Sequence, residues 1–386
     1  MNKLIFLALI SLASCSFLRS KEFIGPMRDI TNGTGLTLVE RHGRLQAKNG
    51  RIVNRYGQIP QLNGMSMFWS QWMGQFWNAD CINFLVSDWK VGIIRAAMAV
   101  NQGGYTENPD QEKGKLTTVV DACVSNGIYV IIDWHIEGSN MQFQGQAKSF
   151  FAEMSQKYGS NDHVLYEGWN EPTGDNWDGV LKGYHESILQ AIRPNTKSLY
   201  IAGSSNWSQQ PNVACNNKLN DDNVAYTLHF YAASHHGELR SAGDEAINNG
   251  CAVVVTEWGT CEASGDGQLD TGSATEWLNW ASSNGVPTNN WGVYDKAETC
   301  AALRGGASGS GGWGDGDLTE SGKFVRDYIR SHSGGPTPPG PPTPPGPPTP
   351  GKGCCSWSGN CRDYTDWCDE SKDHCEGSCN GQWKPN

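Results

Sequence analysis

Charge is scarce in this sequence, and positive charge scarcest. Charged residues make up 18% of the 386, and 29 Lys plus Arg against 40 Asp plus Glu leave a formal net charge of -11. An acidic surface repels nucleic acid and anionic membrane, so neither is expected as a partner, whereas a neutral polymer stays open. The apolar run Leu4–Ser14 is far shorter than the ~20 residues a membrane span requires. A phosphate-cradling loop is missing too: Gly305 to Gly316 is glycine-rich but lacks the Lys-Ser/Thr ending, and reads as a flexible loop. With no nucleotide motif and no convincing metal cluster, no cofactor is implied. Low charge is not low hydrophobicity, however: 38% hydrophobic residues suffice for a core.

Tryptophan and cysteine are plentiful instead. Sixteen Trp against eleven Phe is a skewed balance, and Trp offers a broad flat face for sugar rings, although most are expected in the core or groove walls. Thirteen Cys suit disulfides in an oxidising compartment. The N-terminus agrees: Lys3, the apolar run and the small residues Ala13 and Ser14 read as a secretory signal peptide over residues 1–19. Leu12-Ala13-Ser14-Cys15 also resembles a lipobox, which would make Cys15 lipid-bearing; either route ends outside the cytosol.

Residues 20–40 read as a leader with little fold of its own, and residues 41–332 as one long domain of alternating strand and helix signals. Residues 333–353, almost all Pro, Gly and Thr, form a semi-rigid spacer. Strands are expected near Gln61–Ser66, Gly92–Met98, Ile128–His135, His163–Trp169, Ser198–Gly203, Asn223–Phe230, Cys251–Trp258 and Asn289–Tyr294. Eight strands with helical stretches between them predict an α/β fold, a (β/α)8 TIM barrel, whose chemistry sits at the C-terminal strand ends.

Those ends carry Arg95, His135, Asn170, Glu171, His229, Tyr231, Glu257 and Trp291. Buried parallel strands should end in apolar or turn residues, so this convergence of hydrogen-bonding groups points to an active site. Two glutamates facing each other across a barrel suit glycosidic bond cleavage. Carboxyls about 5–5.5 Å apart give retention, and roughly 6.5–9.5 Å gives inversion; sequence does not measure the gap. A hydrogen bond from Tyr231 and the charge of Arg95 suit Glu257 to be the nucleophile. Glu171 as acid/base needs a raised pKa, and Asn170 beside it is placed to bind the sugar 2-hydroxyl.

Trp169-Asn170-Glu171-Pro172 and Thr256-Glu257-Trp258-Gly259-Thr260 resemble the acid/base and nucleophile motifs of the cellulases of glycoside hydrolase family five. The resemblance extends through Arg95-Ala96-Ala97-Met98, Ile131 to His135, Trp207-Ser208-Gln209, Leu228 to Tyr231 and Lys296 to Leu303, spanning about Arg41 to Arg330. It implies an endo-acting, retaining enzyme on β-1,4-glucan. It further implies that Arg95, His135, Asn170, His229, Tyr231 and Trp291 surround the bond, that Lys296 and Glu298 bind hydroxyls on the non-reducing side, and that Trp72 is a stacking platform there. Phe68 stands where related enzymes carry His, Trp169 replaces a small residue, and Tyr294-Asp295 alters the lead into Lys296, which leaves xyloglucan, mixed-linkage glucan and mannan open as substrates. A binding barrel without activity and a transglycosylase are the alternatives.

Residues 354–386 hold Cys354, Cys355, Cys361, Cys368, Cys375 and Cys379, without the paired Cys-x-x-Cys spacing of a zinc site, interleaved with Trp357, Tyr364, Trp367 and Trp383. So small a module relies on disulfides. Its composition resembles small cellulose-binding domains, with docking to a scaffold protein as the rival reading. In the long domain, Cys261–Cys300 and Cys81–Cys123 are the expected bridges.

Overall fold

Strand Ile93–Ala99 displays how the core is layered. Ile94, Ala96 and Met98 join the large apolar layer beneath the helices, Ile93 joins a smaller cluster, and Ala97 and Ala99 a third. Side chains alternate along a strand, so Arg95 lies on the same inward face as Ile93 and Ala97. All seven residues are buried, as parallel strands covered on both faces must be. The computed structural model describes residues 35–333 together with the backbone of 353–355 and 382–384. The stretch read as a signal peptide, Cys15, nearly all of the stretch read as a linker and the side chains of the Cys/Trp-rich segment lie outside the described residues.

Eight strands form the barrel: β1 (Asn63–Met67), β2 (Ile93–Ala99), β3 (Tyr129–His135), β4 (Val164–Glu167), β5 (Tyr200–Ala202), β6 (Val224–Thr227), β7 (Ala252–Gly259) and β8 (Thr288–Val293). Each pairs in parallel with the next, and β8 returns to β1, register Thr288 opposite Asn63, to close the cylinder. A helix follows every strand, from Ala79–Phe84 after β1 to Glu320–His332 after β8. Local signals set their ends. Asp270 caps Thr271–Asn284 by accepting from the Ser273 amide, and Gly285, at φ 64°, supplies the left-handed residue that stops it.

Two departures from the sequence reading have local causes. The sixth strand is interrupted: β6 stops at Thr227, and Phe230–Tyr231 pairs separately with Trp258–Gly259. In the break, the His229 amide bonds to the Ser208 carbonyl. The fold also begins within the segment read as leader. Thr37 and Glu40 form a reciprocal capping box that starts the helix Leu38–His42. Val39 then packs with Leu45, Ile52, Ile93 and Ile131, together with the antiparallel pair Gln46–Lys48 and Arg51–Val53, under the barrel.

Cys261 and Cys300 are bonded as expected. Cys81 and Cys123 are not: both are buried free thiols, and burial pushes the Cys81 thiol up to about 12. Neighbouring helices bring chain axes together without fixing the Cβ directions a bridge needs. The second bridge is Cys215–Cys251, joining the helix Pro211–Asn216 to the start of β7, with Cα atoms 5.9 Å apart. In a second unit, Gly335–Asn386, Gly353–Cys355 pairs antiparallel with Gln382–Lys384.

Cys215–Cys251 closes a loop of sequence separation 36 at the strand end away from the barrel mouth. The Cys215→Ala/Cys251→Ala variant is expected to lose about 3–4 kcal/mol of stability by loop entropy. Thermal and denaturant unfolding will measure that loss, with hydrolysis at 25 °C unchanged.

Candidate active site

The register of β7 against β8 shifts between Val255 and Trp258. Both of these residues belong to the outer layer, three positions apart. Strict alternation would send Glu257 outward; the irregularity leaves Thr256 and Glu257 both on the inner side. Across the barrel, the chain beyond β4 stays paired with the chain beyond β3, the Glu171 amide bonding to the Ile136 carbonyl at 3.1 Å and Gly138 to the Glu171 carbonyl at 2.9 Å. That pairing carries Glu171 to the mouth. Trp169 turns outward, buried edge-to-face on Tyr184.

Beneath both glutamates lies Arg95, fully buried. Its guanidinium donates to Glu167 at 2.8 and 3.2 Å, to Glu257 at 2.9 Å and to Asn170 Oδ1 at 2.6 Å, and pairs with Asp133 at 3.0 Å. Burial opposes its charge, but Asp133, Glu167 and Glu257 outweigh burial and raise its pKa. Burial also lifts Asp133 to about 7 and Glu167 to about 8, against the pull of Arg95. Glu257 is held at both oxygens, by Arg95 and by the Tyr231 hydroxyl at 2.8 Å. Burial and then Glu257 hold the Tyr231 pKa well above its usual range, so it stays a donor.

Glu171 meets the opposite surroundings. Its Oε1 lies 2.9 Å from His229 Nδ1, and His229 Nε2 lies 2.8 Å from Thr256 Oγ1. Thr256 gives its only proton to Glu167, at 2.7 Å, so it must accept from His229 Nε2–H. Burial, then Arg95, hold the His229 pKa well below 6.5, so the ring is neutral and Nδ1 is a lone pair. A lone pair facing Glu171 requires the Glu171 proton. Burial first, and the Glu257 and Glu137 charges next, raise the Glu171 pKa well above 4.5, in agreement with that deduction.

Around these groups runs a cleft of about 460 Å³, lined by Phe68, Trp69, Glu137, Trp207 and Gln209 as well as by the expected Glu171, His229, Tyr231, Glu257, Trp291, Lys296 and Glu298. Lys296 and Glu298 are ion-paired. Arg95, His135 and Asn170 are buried to within 1% and lie under the cleft wall. The His135 ring stacks on Trp291 at 5.1 Å, with its Nδ1 2.8 Å from Asp133. With Oδ1 tied to Arg95, the buried Asn170 Nδ2 has no protein partner and is free to donate to a hydroxyl. Trp72 is not among the lining residues; it stands half exposed outside them, its ring 5.2 Å from Trp69. Phe68 packs on Trp291 and Tyr294, apolar where a His would donate.

Sequence reasoning missed Asp133, Glu167 and Thr256, the partners that hold Arg95 and His229. A signal for two of them existed: Asp133 and Glu167 are charges at inward positions of strands buried on both faces. Trp207 was passed over as a lining residue. It sits in a run of three left-handed non-glycine residues, Asn206, Trp207 and Ser208, each at φ 55°, tied down by Ser208 Oγ to the Asn170 carbonyl at 2.6 Å. One ligand atom each of Glu171, His229 and Glu257 lie within 4.8 Å of one another, a spacing a cation could bridge. Arg95 already supplies the positive charge there, and a cation beside a guanidinium would be repelled.

A barrel with two carboxyls across an aromatic-lined cleft at its mouth defines a glycoside hydrolase. Residues 53–297 match the family described as Cellulase (glycosyl hydrolase family 5). The chain is 42% identical over 309 residues to Endoglucanase N of Pectobacterium atrosepticum, covering 78% of this chain and 69% of that protein. It is also 42% identical to an endoglucanase of Clostridium saccharobutylicum, covering 74% and 65%. The chain thus spans about two thirds of the length of these relatives. Among solved structures, a variant catalytic domain of a Thermobifida fusca endoglucanase, in complex with cellotetraose, superposes with a TM-score of 0.73 at 32% identity over 76% of this chain and all of that one. The chain belongs to the cellulase family, glycosyl hydrolase family 5, and its barrel is that family's endo-β-1,4-glucanase domain.

Thr256→Val removes the acceptor of His229 Nε2–H and frees the ring to present Nδ1–H to Glu171. The Glu171 pKa is then expected to fall by roughly one unit, the worth of one hydrogen bond. The alkaline limb of the kcat/KM profile will move down with it, and Thr256→Ser will restore it.

Proposed function

We propose that the barrel hydrolyses internal β-1,4 bonds of a glucan chain with retention, Glu257 acting as nucleophile and Glu171 as acid/base. The observation that carries this is the approach of one oxygen of each to within 4.8 Å, which suits the narrow carboxyl spacing of about 5–5.5 Å for retention. Glu257 attacks the anomeric carbon as Glu171 gives its proton to the leaving oxygen. Water then enters on the face the leaving group vacated, Glu171 takes a proton from it as its oxygen bonds the anomeric carbon, and the bond from that carbon to Glu257 breaks on the opposite face, restoring both carboxyls.

The surroundings support these roles. Glu257 presents a charge balanced by Arg95 and an orientation fixed by Tyr231. Glu171 carries a proton that His229 Nδ1 holds at neutral pH. Asn170 Nδ2 is the donor for the 2-hydroxyl, a contact that strengthens as the ring flattens. Trp291 forms an apolar wall with Phe68. His135 sits behind it, Lys296 and Glu298 offer charged partners for hydroxyls on the non-reducing side, and Trp72 a platform beyond. Cellotetraose, bound by the Thermobifida fusca relative, suggests a substrate of several glucose units. For the whole chain we infer a secreted enzyme, for which two disulfides speak, whose proline-rich linker tethers a cellulose-binding or scaffold-docking module.

Hydrolysis of carboxymethyl-cellulose beside xyloglucan and mannan tests the reading. Wild type is expected to cut viscosity fastest on cellulose, Glu257→Gln to be inactive, and Glu171→Gln to lose roughly 10²–10⁴-fold in kcat. On an aryl cellobioside with a good leaving group, Glu171→Gln will keep a fast first step and stall at the glycosyl-enzyme, while Glu257→Gln shows no burst. The initial product will be the β anomer by NMR; an α anomer would sink the retaining assignment, and longer products from cello-oligosaccharides would point to transglycosylation.

A further inference from the structure

Glu137 enters that scheme only as a charge that helps raise the Glu171 pKa, yet it lines the same cleft as Glu171 and Glu257. It follows β3 and forms an isolated parallel bridge with Glu171, so the two residues leave the barrel side by side. Its side chain is exposed and makes no hydrogen bond or ion pair among the described residues. The cations nearby are already committed. Arg95 is buried beneath the cleft with Asp133, Glu167 and Glu257 around it, and Lys296, the cleft-lining cation, is paired with Glu298. Glu137 is thus an unneutralised carboxylate on the Glu171 side, opposite the Lys296–Glu298 pair in function. If Glu171 protonates the leaving oxygen, the leaving half of the substrate passes next to Glu137.

We propose that Glu137 is a specificity-determining residue that reads the charge of the leaving half of the chain, disfavouring anionic substituents there and favouring cationic ones. The inference rests on the acid/base assignment of Glu171. Glu137 makes no bond to the reacting atoms; it acts by Coulomb interaction across a partly wet cleft, where one charge at contact distance changes a rate severalfold and added salt weakens it. The anionic substituents of carboxymethyl-cellulose would meet this barrier, so that polymer understates the activity on neutral glucan.

The test uses three soluble celluloses: hydroxyethyl-cellulose as the neutral polymer, carboxymethyl-cellulose as the anionic one, and quaternary-ammonium hydroxyethyl-cellulose as the cationic one. For the full chain, the ratio of kcat/KM on the anionic to the neutral polymer, at low salt, is expected to rise about three- to tenfold in Glu137→Gln. The cationic-to-neutral ratio should fall by a similar factor, and Glu137→Lys should carry both changes further. Gln is nearly isosteric, and all three polymers meet the same Glu171. Ratios between substrates therefore cancel steric effects and any change in Glu171 acidity. Raising the salt should bring wild type toward the Gln variant. Equal ratios in wild type, Gln and Lys variants, with the neutral polymer still cleaved, would overturn this proposal alone. Failure of wild type to cleave the neutral polymer would overturn the hydrolase reading and this inference with it.

Discussion

The burial of one guanidinium is the constraint on which the site depends. A charge taken out of water costs several kcal/mol unless it is paired and its donors are used. Arg95 meets that requirement with four groups from three strands of the barrel: Asp133 on β3, Glu167 and Asn170 at the end of β4, and Glu257 on β7. Glu167, Asn170 and Glu257 each take a hydrogen bond from the guanidinium, and Asp133 adds an ion pair to it. The arrangement fixes Glu257 from below and orients the Asn170 amide, so the positions of two groups that face the cleft follow from satisfying a third that does not.

Pairing one cation with three carboxyls leaves an excess of negative charge in a buried place. Burial lifts Asp133 to about 7 and Glu167 to about 8, against the pull of Arg95. Glu167 also takes the hydrogen of Thr256, and through Thr256 and His229 this choice reaches Glu171. Two glutamates of one barrel therefore acquire different characters from what they face. Glu257 faces donors, a guanidinium and a phenol; Glu171 faces a lone pair and neighbouring negative charge. The asymmetry is built from hydrogen-bond direction as much as from burial.

Much of this was legible in the sequence because it is local. The apolar strands, the helices between them and the polar residues at strand ends all leave periodic or positional marks, and Glu171 and Glu257 stand in short motifs. What escaped is what depends on contact across the barrel. Glu167 ends a strand that reads as apolar, and its partner Arg95 is 72 positions away. The inward turn of Glu257 needs the irregularity in β7, which the run Val253-Val254-Val255-Thr256 gives no hint of. The split of the sixth strand is set by a bond from His229 to Ser208, a residue of another loop. Cys215–Cys251 and the unpaired Cys81 and Cys123 make the same point: a bridge is decided by where Cβ atoms aim, and helix adjacency does not carry that information.

Chemistry and selectivity are mounted differently. The groups around the bond sit on strands or directly beyond them, where parallel pairing fixes them. The groups further out sit on loops that need their own fastening. Lys296 and Glu298 lie on the segment after β8, and that segment is tied to the loop after β7 by the Cys261–Cys300 bridge, by Thr299 donating to Asp266 through both its amide and its hydroxyl, and by the Cys300 amide bonding to the Gly265 carbonyl. On the other side, Trp207 is held by the Ser208 hydroxyl bonding to the Asn170 carbonyl. Each loop is thus anchored to a strand that carries a catalytic candidate. A substrate gripped by the loops is referred to the same frame as the carboxyls that act on it. Substitutions of Trp207, Lys296 or Glu298 can alter which chain is held while leaving the Arg95 frame intact, because none of these side chains bonds to it.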